Sequence, residues 1–168
     1  MTQIRKCSQC VAITKAGGRC KNRTCKSQFC WIHLKRDKGL RIKPSATGFG
    51  QGLFASQPFK KGDKITEYSG ENLTKAQVDA RYGDDTTSEY TLCLGNGPNA
   101  KCRDARNTNS GAGRFANTAR GTGYRNNAKF TNKTFNMRAM KKIKTGQEVF
   151  VSYGASFTFV QRFRKIFI

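Results

Sequence analysis

The sequence of 168 residues has few acidic side chains, few prolines and a single histidine. It contains 10 Asp and Glu residues, 3 Pro and 1 His. No apolar run approaches the ~20 residues that a membrane-spanning helix requires, and residues 1–10 contain no apolar signal region. These absences lead us to expect a soluble, intracellular protein with no membrane partner.

Hydrophobic residues are also scarce. They make up 36% of the chain, which is below the roughly 45–50% that is usual in globular domains. A chain of this length with so little apolar material can build one modest core. We therefore expect one domain with a short appendage.

Basic residues are abundant instead. The 32 Lys and Arg residues give a net charge of +22, which favours a polyanionic partner such as nucleic acid. Half of the excess lies in the first quarter of the chain, because residues 1–43 hold 12 Lys and Arg and one acid, Asp37. The alternative interpretation is a solvated basic surface with no specific partner.

Five of the seven cysteines precede the histidine, at positions 7, 10, 20, 25 and 30. An odd number of cysteines without an export signal argues against a secreted disulfide module, whereas thiolates and an imidazole suit a tetrahedral Zn²⁺ ion. A C-x9-C-x9-C-x2-H spacing is formed by Cys10, Cys20, Cys30 and His33. It resembles a small zinc-binding segment common in large DNA viruses and mobile elements. Cys7 could replace Cys10. Four protein ligands leave no open position, so we predict a structural zinc.

Short strands and Gly-rich turns dominate the rest of the pattern, which indicates a β-rich α+β fold. Thr74 is the predicted N-cap of a helix over 75–82. Strands are predicted at 65–68, 90–94, 101–105, 128–140 and 148–152. The expected organisation is a zinc-binding segment at 1–37, a basic linker at 38–43, a domain at 44–154 and a basic aromatic tail at 155–168.

Four motifs occur in a fixed order within the expected domain. They are G-Q-G-L-F-A at 50–55, E-Y-S-G-E at 67–71, R-F-A-N at 114–117 and G-Q-E-V-F-V-S-Y-G at 146–154. A Gly-rich turn alone is weak evidence, because here it lacks the Lys-Ser/Thr of a phosphate loop and the βαβ setting of a dinucleotide fold. The ordered set resembles the SET domain family of protein-lysine methyltransferases.

The resemblance implies a SET fold, a β-clip of several small sheets with a knot-like crossing in which the last strand threads under the Asn117 loop. It implies S-adenosylmethionine as the cofactor, beside Zn²⁺ in the preceding segment. Its implied catalytic residues are Tyr153 and Tyr68. The implied cofactor-binding residues are Gly50, Gln51, Gly52, Leu53, Asn117 and Thr118. The implied substrate channel contains Tyr90, Phe130 and Val151.

The chemistry of methyl transfer agrees with these residue types. A lysine must be neutral before it can attack a sulfonium, and a narrow aromatic channel lowers the lysine pKa by desolvation. Tyrosine hydroxyls can then orient the amine. We therefore expect a lysine N-methyltransferase that acts on histone or other Lys-rich tails, near DNA or nucleosomes, in the nucleus, a viral factory or a virion. A homodimer is compatible with the resemblance.

The sequence also departs from the family pattern. Thr118 replaces the histidine of the N-H-S-C-x-P-N motif, and the loop that reaches Asn127 is longer. These departures support an alternative, a non-enzymatic DNA-binding or virion structural protein on a degraded SET scaffold.

Seven of the ten acids lie between positions 63 and 89, a window with a net charge of −4. In the family this region helps to form the substrate groove, so we hypothesise that the window attracts a basic tail. An ordinary solvated acidic patch is the alternative.

Charge reversal at Asp84 and Asp85 to Lys tests the acidic window. We expect KM for a histone tail peptide to rise by about 3-fold or more at low salt, because the attraction is lost. The difference should shrink at high salt, where charges are screened. Peptide methylation kinetics that stay unchanged at low salt would contradict the hypothesis.

Overall fold

The structure is a computed structural model that describes residues 3–48, 50–83, 90–95, 97–131 and 134–153. Over these residues its strands form two two-stranded and two three-stranded sheets. Every pairing within these sheets is antiparallel. The predicted β-rich α+β class with several small sheets is therefore confirmed.

The zinc-binding segment contains little regular structure. Its two short strands are β1 (Ser8–Gln9) and β2 (Arg23–Thr24), and its helix is α1 (Trp31–Lys38). The helix ends at Gly39, whose φ of 63° lies in the left-handed region and whose N–H bonds to carbonyls of the last turn. A glycine suits this position because it has no Cβ to clash there.

The predicted linker at 38–43 is wrong as a linker, because most of it forms strand β3 (Leu40–Pro44). Leu40 is fully buried and pairs with Ala55, and Ile42 pairs with Leu53, across β4 (Gln51–Ala55). The basic residues between them obscured an alternating apolar pattern. The left-handed turn at Gly39 leads the helix directly into this strand.

Two further sheets carry the rest of the domain. The first contains β5 (Lys64–Glu67), β9 (Ala128–Thr131) and β10 (Thr134–Ala139). The single strand predicted over 128–140 is therefore a hairpin. The second contains β6 (Glu71–Thr74), β7 (Thr91–Leu94) and β8 (Lys101–Asp104). The strands predicted at 90–94 and 101–105 are confirmed as β7 and β8.

Helix α2 (Lys75–Tyr82) directly follows β6 in the chain, at the predicted bounds. The Thr74 hydroxyl accepts a hydrogen bond from the backbone N–H of Gln77, and the Gln77 side chain accepts one from the backbone N–H of Thr74. This reciprocal capping box is why the helix begins there. Val78 of the helix packs with Leu73 and Cys102.

A main hydrophobic core lies between α1, the first three-stranded sheet and the last described strand-like segment. Its fully buried members include Leu40, Leu53, Met137, Ile143 and Val149. Residues 148–152 form isolated bridges rather than the predicted regular strand. In the described part of the chain, neither helix is long and apolar enough to cross a membrane.

The chain crosses itself where this last segment passes between two loops. Phe150 bridges Asn117 in parallel, and the Val151 N–H donates to the Asn117 carbonyl over 2.9 Å. On the other side, Asn127 donates to the Glu148 carbonyl over 2.8 Å and accepts from the Phe150 N–H over 2.9 Å. This arrangement agrees with the crossing under the Asn117 loop that the SET resemblance implies.

Candidate active site and metal centre

The four predicted zinc ligands converge on one buried point. The ligand atoms of Cys10, Cys20, Cys30 and His33 all lie within 4.8 Å of one another. The His33 Nδ1 atom is 3.2 Å from the Cys30 Sγ and 3.7 Å from the Cys10 Sγ. A tetrahedral zinc with ordinary bond lengths separates its ligand atoms by about 3.5–3.8 Å. The donor set therefore fits Zn²⁺.

Hydrogen bonds at the sulfurs prepare the cluster for a cation. Burial raises the pKa of the Cys30 thiol. Hydrogen bonds from the His33 backbone and the Asn22 side chain outweigh burial and lower the pKa to about 6. The Cys10 sulfur also accepts from the Cys30 backbone N–H over 3.2 Å. Thiolates are the form of cysteine that ligates metal.

Cys7, the alternative ligand, lies outside the cluster because it forms a disulfide with Cys25. A second disulfide joins Cys93 and Cys102, which face each other across β7 and β8. The sequence interpretation left Cys7 and Cys25 unassigned and predicted neither disulfide. Spacing alone could not decide whether Cys7 or Cys10 is the ligand, because the sequence separation of either from Cys20 is compatible with a metal site.

A buried carboxylate, Glu148, holds the crossing together. Its Oε1 accepts hydrogen bonds from the Ser45 hydroxyl over 2.8 Å and the Asn117 Nδ2 over 3.1 Å. Its Oε2 accepts from the Ala46 N–H over 2.8 Å. The sequence interpretation quoted Glu148 within the last motif but gave it no role.

Glu148 also explains one glycine of the first motif. A Cβ on Gly52 would lie 2.2 Å from the Glu148 Oε1. In the structure, the close neighbour of Gly52 is this carboxylate.

The predicted cofactor-binding residues come together at the crossing. The Asn117 Nδ2 donates to the Gln51 carbonyl over 3.1 Å, and Leu53 is fully buried behind them. Space is open within 4 Å of the Cβ position of Gly50. Thr118 is buried next to Asn117, and its hydroxyl accepts from the Arg120 N–H over 3.3 Å. The first and third motifs thus form one surface beside Glu148.

The two predicted catalytic tyrosines line one narrow cavity of about 40 Å³. The Tyr68 hydroxyl donates to the Tyr90 carbonyl and the Tyr153 hydroxyl donates to the Ala116 carbonyl, each over 2.8 Å. Burial raises the pKa of both hydroxyls well above the ordinary value. Both tyrosines therefore stay protonated at neutral pH and cannot act as bases there.

The three residues predicted for the substrate channel do not all line the cavity. Phe130 lines the cavity and packs edge-on against Tyr68, with ring centroids 5.8 Å apart. Tyr90 is not part of the wall that the described residues form, but its carbonyl accepts the Tyr68 hydroxyl. Val151 is fully buried in the hydrophobic core and is absent from the cavity wall that the described residues form. Its place in the channel stays a prediction, and in this structure the crossing turns the position inward.

Arg114 is a cavity residue that the sequence interpretation left without a role. Its guanidinium is buried and lies 4.3 Å from the centroid of the Tyr90 ring. It donates to the Ala105 carbonyl over 2.8 Å and to the Gln3 Oε1 over 3.1 Å. Burial lowers its pKa, yet a guanidinium stays charged at neutral pH. The cavity therefore has a cationic wall.

Most of the acidic side chains of the 63–89 window that the structure describes form ion pairs with basic side chains. Glu67 pairs with Arg103, Glu71 with Arg81 and Asp79 with Lys75. Asp84, Asp85 and Glu89 lie outside the described residues, as does the predicted aromatic tail at 155–168. The described carboxylates thus leave less free negative charge than the sequence suggests.

Comparisons with known proteins identify this arrangement. The SET domain family model matches residues 50–154. A solved structure, the methyltransferase domain of human PR domain-containing protein 2, matches with a TM-score of 0.53 and 23% sequence identity. That match covers 72% of this chain and 82% of the human domain, and at this identity it shows the fold alone. A search of curated proteins found no match.

Replacement of Cys30 by Ser tests the metal centre. We expect most of the bound zinc to be lost, because a serine hydroxyl is a far poorer zinc ligand than a thiolate. Zinc per chain is measured by elemental analysis of the purified protein. The matched control is Cys7→Ser, whose sulfur lies outside the cluster and which should keep about one zinc per chain. Loss of zinc in Cys7→Ser alone would contradict the ligand assignment.

Replacement of Glu148 by Gln tests the buried carboxylate. Gln keeps the size but turns one acceptor into a donor that faces another donor. We expect a loss of about 1–3 kcal/mol in the free energy of unfolding, measured by urea denaturation. The same change at the exposed Glu71 should cost about 0–1 kcal/mol. Equal losses in the two variants would argue against a special role for Glu148.

Proposed function

The chain belongs to the SET domain family, and from this premise we propose that it is a protein-lysine N-methyltransferase that uses S-adenosylmethionine. Family membership supports the coarser statement, protein methyltransferase activity. The observation that carries the choice of lysine is the cavity between Tyr68, Tyr153 and Phe130. Its aromatic walls admit a thin, unbranched side chain.

The cavity favours the neutral amine that methyl transfer requires. Aromatic walls remove water from an entering ammonium, which lowers the lysine pKa. Arg114 lines the same cavity, and a nearby like charge disfavours the ammonium further. The proton leaves to solvent, since the protonated tyrosines offer no base. Arg114 and desolvation thus both lower the pKa of the entering lysine.

The tyrosine hydroxyls and backbone carbonyls orient the amine. Tyr153 is anchored by the Ala116 carbonyl and Tyr68 by the Tyr90 carbonyl, so both hydroxyl oxygens are fixed in position. Their remaining lone pairs can accept from the amine N–H groups. Orientation of this kind is a large part of what an enzyme supplies to a displacement reaction.

The residues near the crossing fit S-adenosylmethionine, which would supply the methyl group as a sulfonium. Gly50, Gln51 and Gly52 would present backbone to its methionine part, and the Asn117 amide lies beside them. Asn117 follows Ala116, whose carbonyl receives the Tyr153 hydroxyl. The proposed cofactor surface therefore begins where the cavity ends.

We further propose a histone or other Lys-rich tail as the substrate, with the enzyme held near DNA or nucleosomes. A net charge of +22 supports association with nucleic acid. The nucleus, a viral factory or a virion would provide such a setting. The basic residues of 1–43 would supply the phosphate contacts.

Transfer of labelled methyl from S-adenosylmethionine to core histones tests the activity. In Tyr153→Phe we expect the rate to fall by about 100-fold or more, the typical cost of losing one oriented hydrogen-bonding group. Cofactor binding, measured by calorimetry, should change little.

The matched control is Tyr124→Phe, which removes a hydroxyl from a half-exposed tyrosine outside the cavity. It should transfer methyl at the wild-type rate. Wild-type rates in Tyr153→Phe would contradict the assigned role of this tyrosine. A wild-type protein that neither binds the cofactor nor transfers methyl would support the non-enzymatic scaffold.

A further inference from the structure

The zinc-binding segment displays an unusual exposed tryptophan. Trp31 is 75% exposed, the most of any large hydrophobic side chain in the described part of the chain. Ile13, at 56%, and Ile32, at 42%, are also exposed. We name Ile13, Trp31 and Ile32 the tryptophan patch. Such side chains are costly to leave in water, so a group of them indicates a binding surface.

Bonds between the two parts of the patch hold it together. Ile13 bridges Arg19 in a short hairpin, and the Arg36 guanidinium donates to the Ile13 carbonyl over 3.0 Å. Ile32 and Arg36 are four residues apart on α1 and share one helix face. The hairpin and the start of the helix therefore present one surface.

The surroundings of the patch are basic. Lys35 lies four residues after Trp31 on the same face of α1. Arg19 ends the hairpin and donates to the Cys10 carbonyl, and Arg36 donates to the Ile13 carbonyl. The one acid in residues 1–43, Asp37, is paired with Arg36. A basic protein tail would be repelled here, whereas a polyanion would be attracted.

The metal centre fixes the tryptophan backbone. Trp31 lies between two ligands of the cluster, Cys30 and His33, and it begins α1. An aromatic ring on a rigid backbone binds a flat partner with less loss of conformational entropy. An unpaired base of a nucleic acid strand is a flat partner. The phosphates of its strand carry negative charge, which complements the basic residues around Trp31.

We propose that Trp31 stacks on an unpaired base of a nucleic acid strand while Arg19, Lys35 and Arg36 contact its phosphates. This inference deepens the proposed association with nucleic acid and rests on it. Stacking of a base on an aromatic side chain tolerates any sequence but requires that the base be unstacked from its neighbours. The surface therefore selects single strands over duplex.

Trp31 is the only tryptophan of the chain, so its fluorescence reports on the patch directly. The full-length protein is titrated with an oligothymidylate of about 20 nucleotides and, separately, with a duplex of the same length. We expect the single strand to quench the Trp31 emission and the duplex to quench it much less. Binding is followed in parallel by the anisotropy of labelled oligonucleotide.

In Trp31→Ala we expect about 5-fold or more weaker binding of the single strand, the lower end for one stacked base. Trp31→Phe should recover most of the affinity. The dependence of affinity on salt should stay the same in both, because the phosphate contacts remain. A matched control is Met140→Ala, another exposed hydrophobic residue (44%), which should bind as the wild type does.

Unquenched emission with the single strand fully bound would overturn the inference, as would equal affinities of Trp31→Ala and wild type. The latter result would point to a protein partner for the patch. Zinc content confirms that the variants are folded. If no oligonucleotide binds, the association with nucleic acid fails as well. Methyl transfer to core histones is measured independently, so the failure of either proposal is distinguishable.

Discussion

The buried Glu148 carboxylate is the interaction on which the site depends. It accepts from Ser45, Ala46 and Asn117 and lies against Gly52. These partners are distant in sequence, and a charged acceptor left without them in the interior would cost far more than an exposed one. Loss of any partner therefore disturbs the crossing as a whole. The surface proposed for the cofactor exists because this one carboxylate is satisfied.

The metal-binding segment supports the same site from outside. Gln3 accepts from the cavity residue Arg114, and Lys26 donates to the side chain of Gln51 over 3.1 Å. Thr108 exchanges hydrogen bonds with Lys6. The small core of this segment is built around Cys10, Cys20 and Cys30. The order of its contacts with the cavity and with the surface proposed for the cofactor therefore depends on the Cys and His cluster.

Charge is distributed unequally between the two parts of the molecule. The described acids of the 63–89 window are mostly used in ion pairs with Arg and Lys, and Asp104 is buried among Arg81, Arg106 and Tyr82. The acidic residues of the domain thus stabilise the fold through ion pairs. The basic residues among the first 43 are balanced by only one carboxylate, which is itself paired. This asymmetry is why we propose the nucleic-acid contact for the segment with the Cys and His cluster and methyl transfer for the domain.

Sequence by itself determined the family, the cluster of three cysteines and one histidine, helix α2 and the two tyrosines of the cavity, because these depend on residue type at short, fixed spacing. It could not determine the Cys7–Cys25 pairing, strand β3, the inward position of Val151 or the roles of Glu148 and Arg114. Each of those depends on which distant residues become neighbours. A carboxylate in water and one buried under three donors have the same letter in the sequence. Only the crossing of the chain, which excludes water from Glu148 and turns Val151 into the core, distinguishes them.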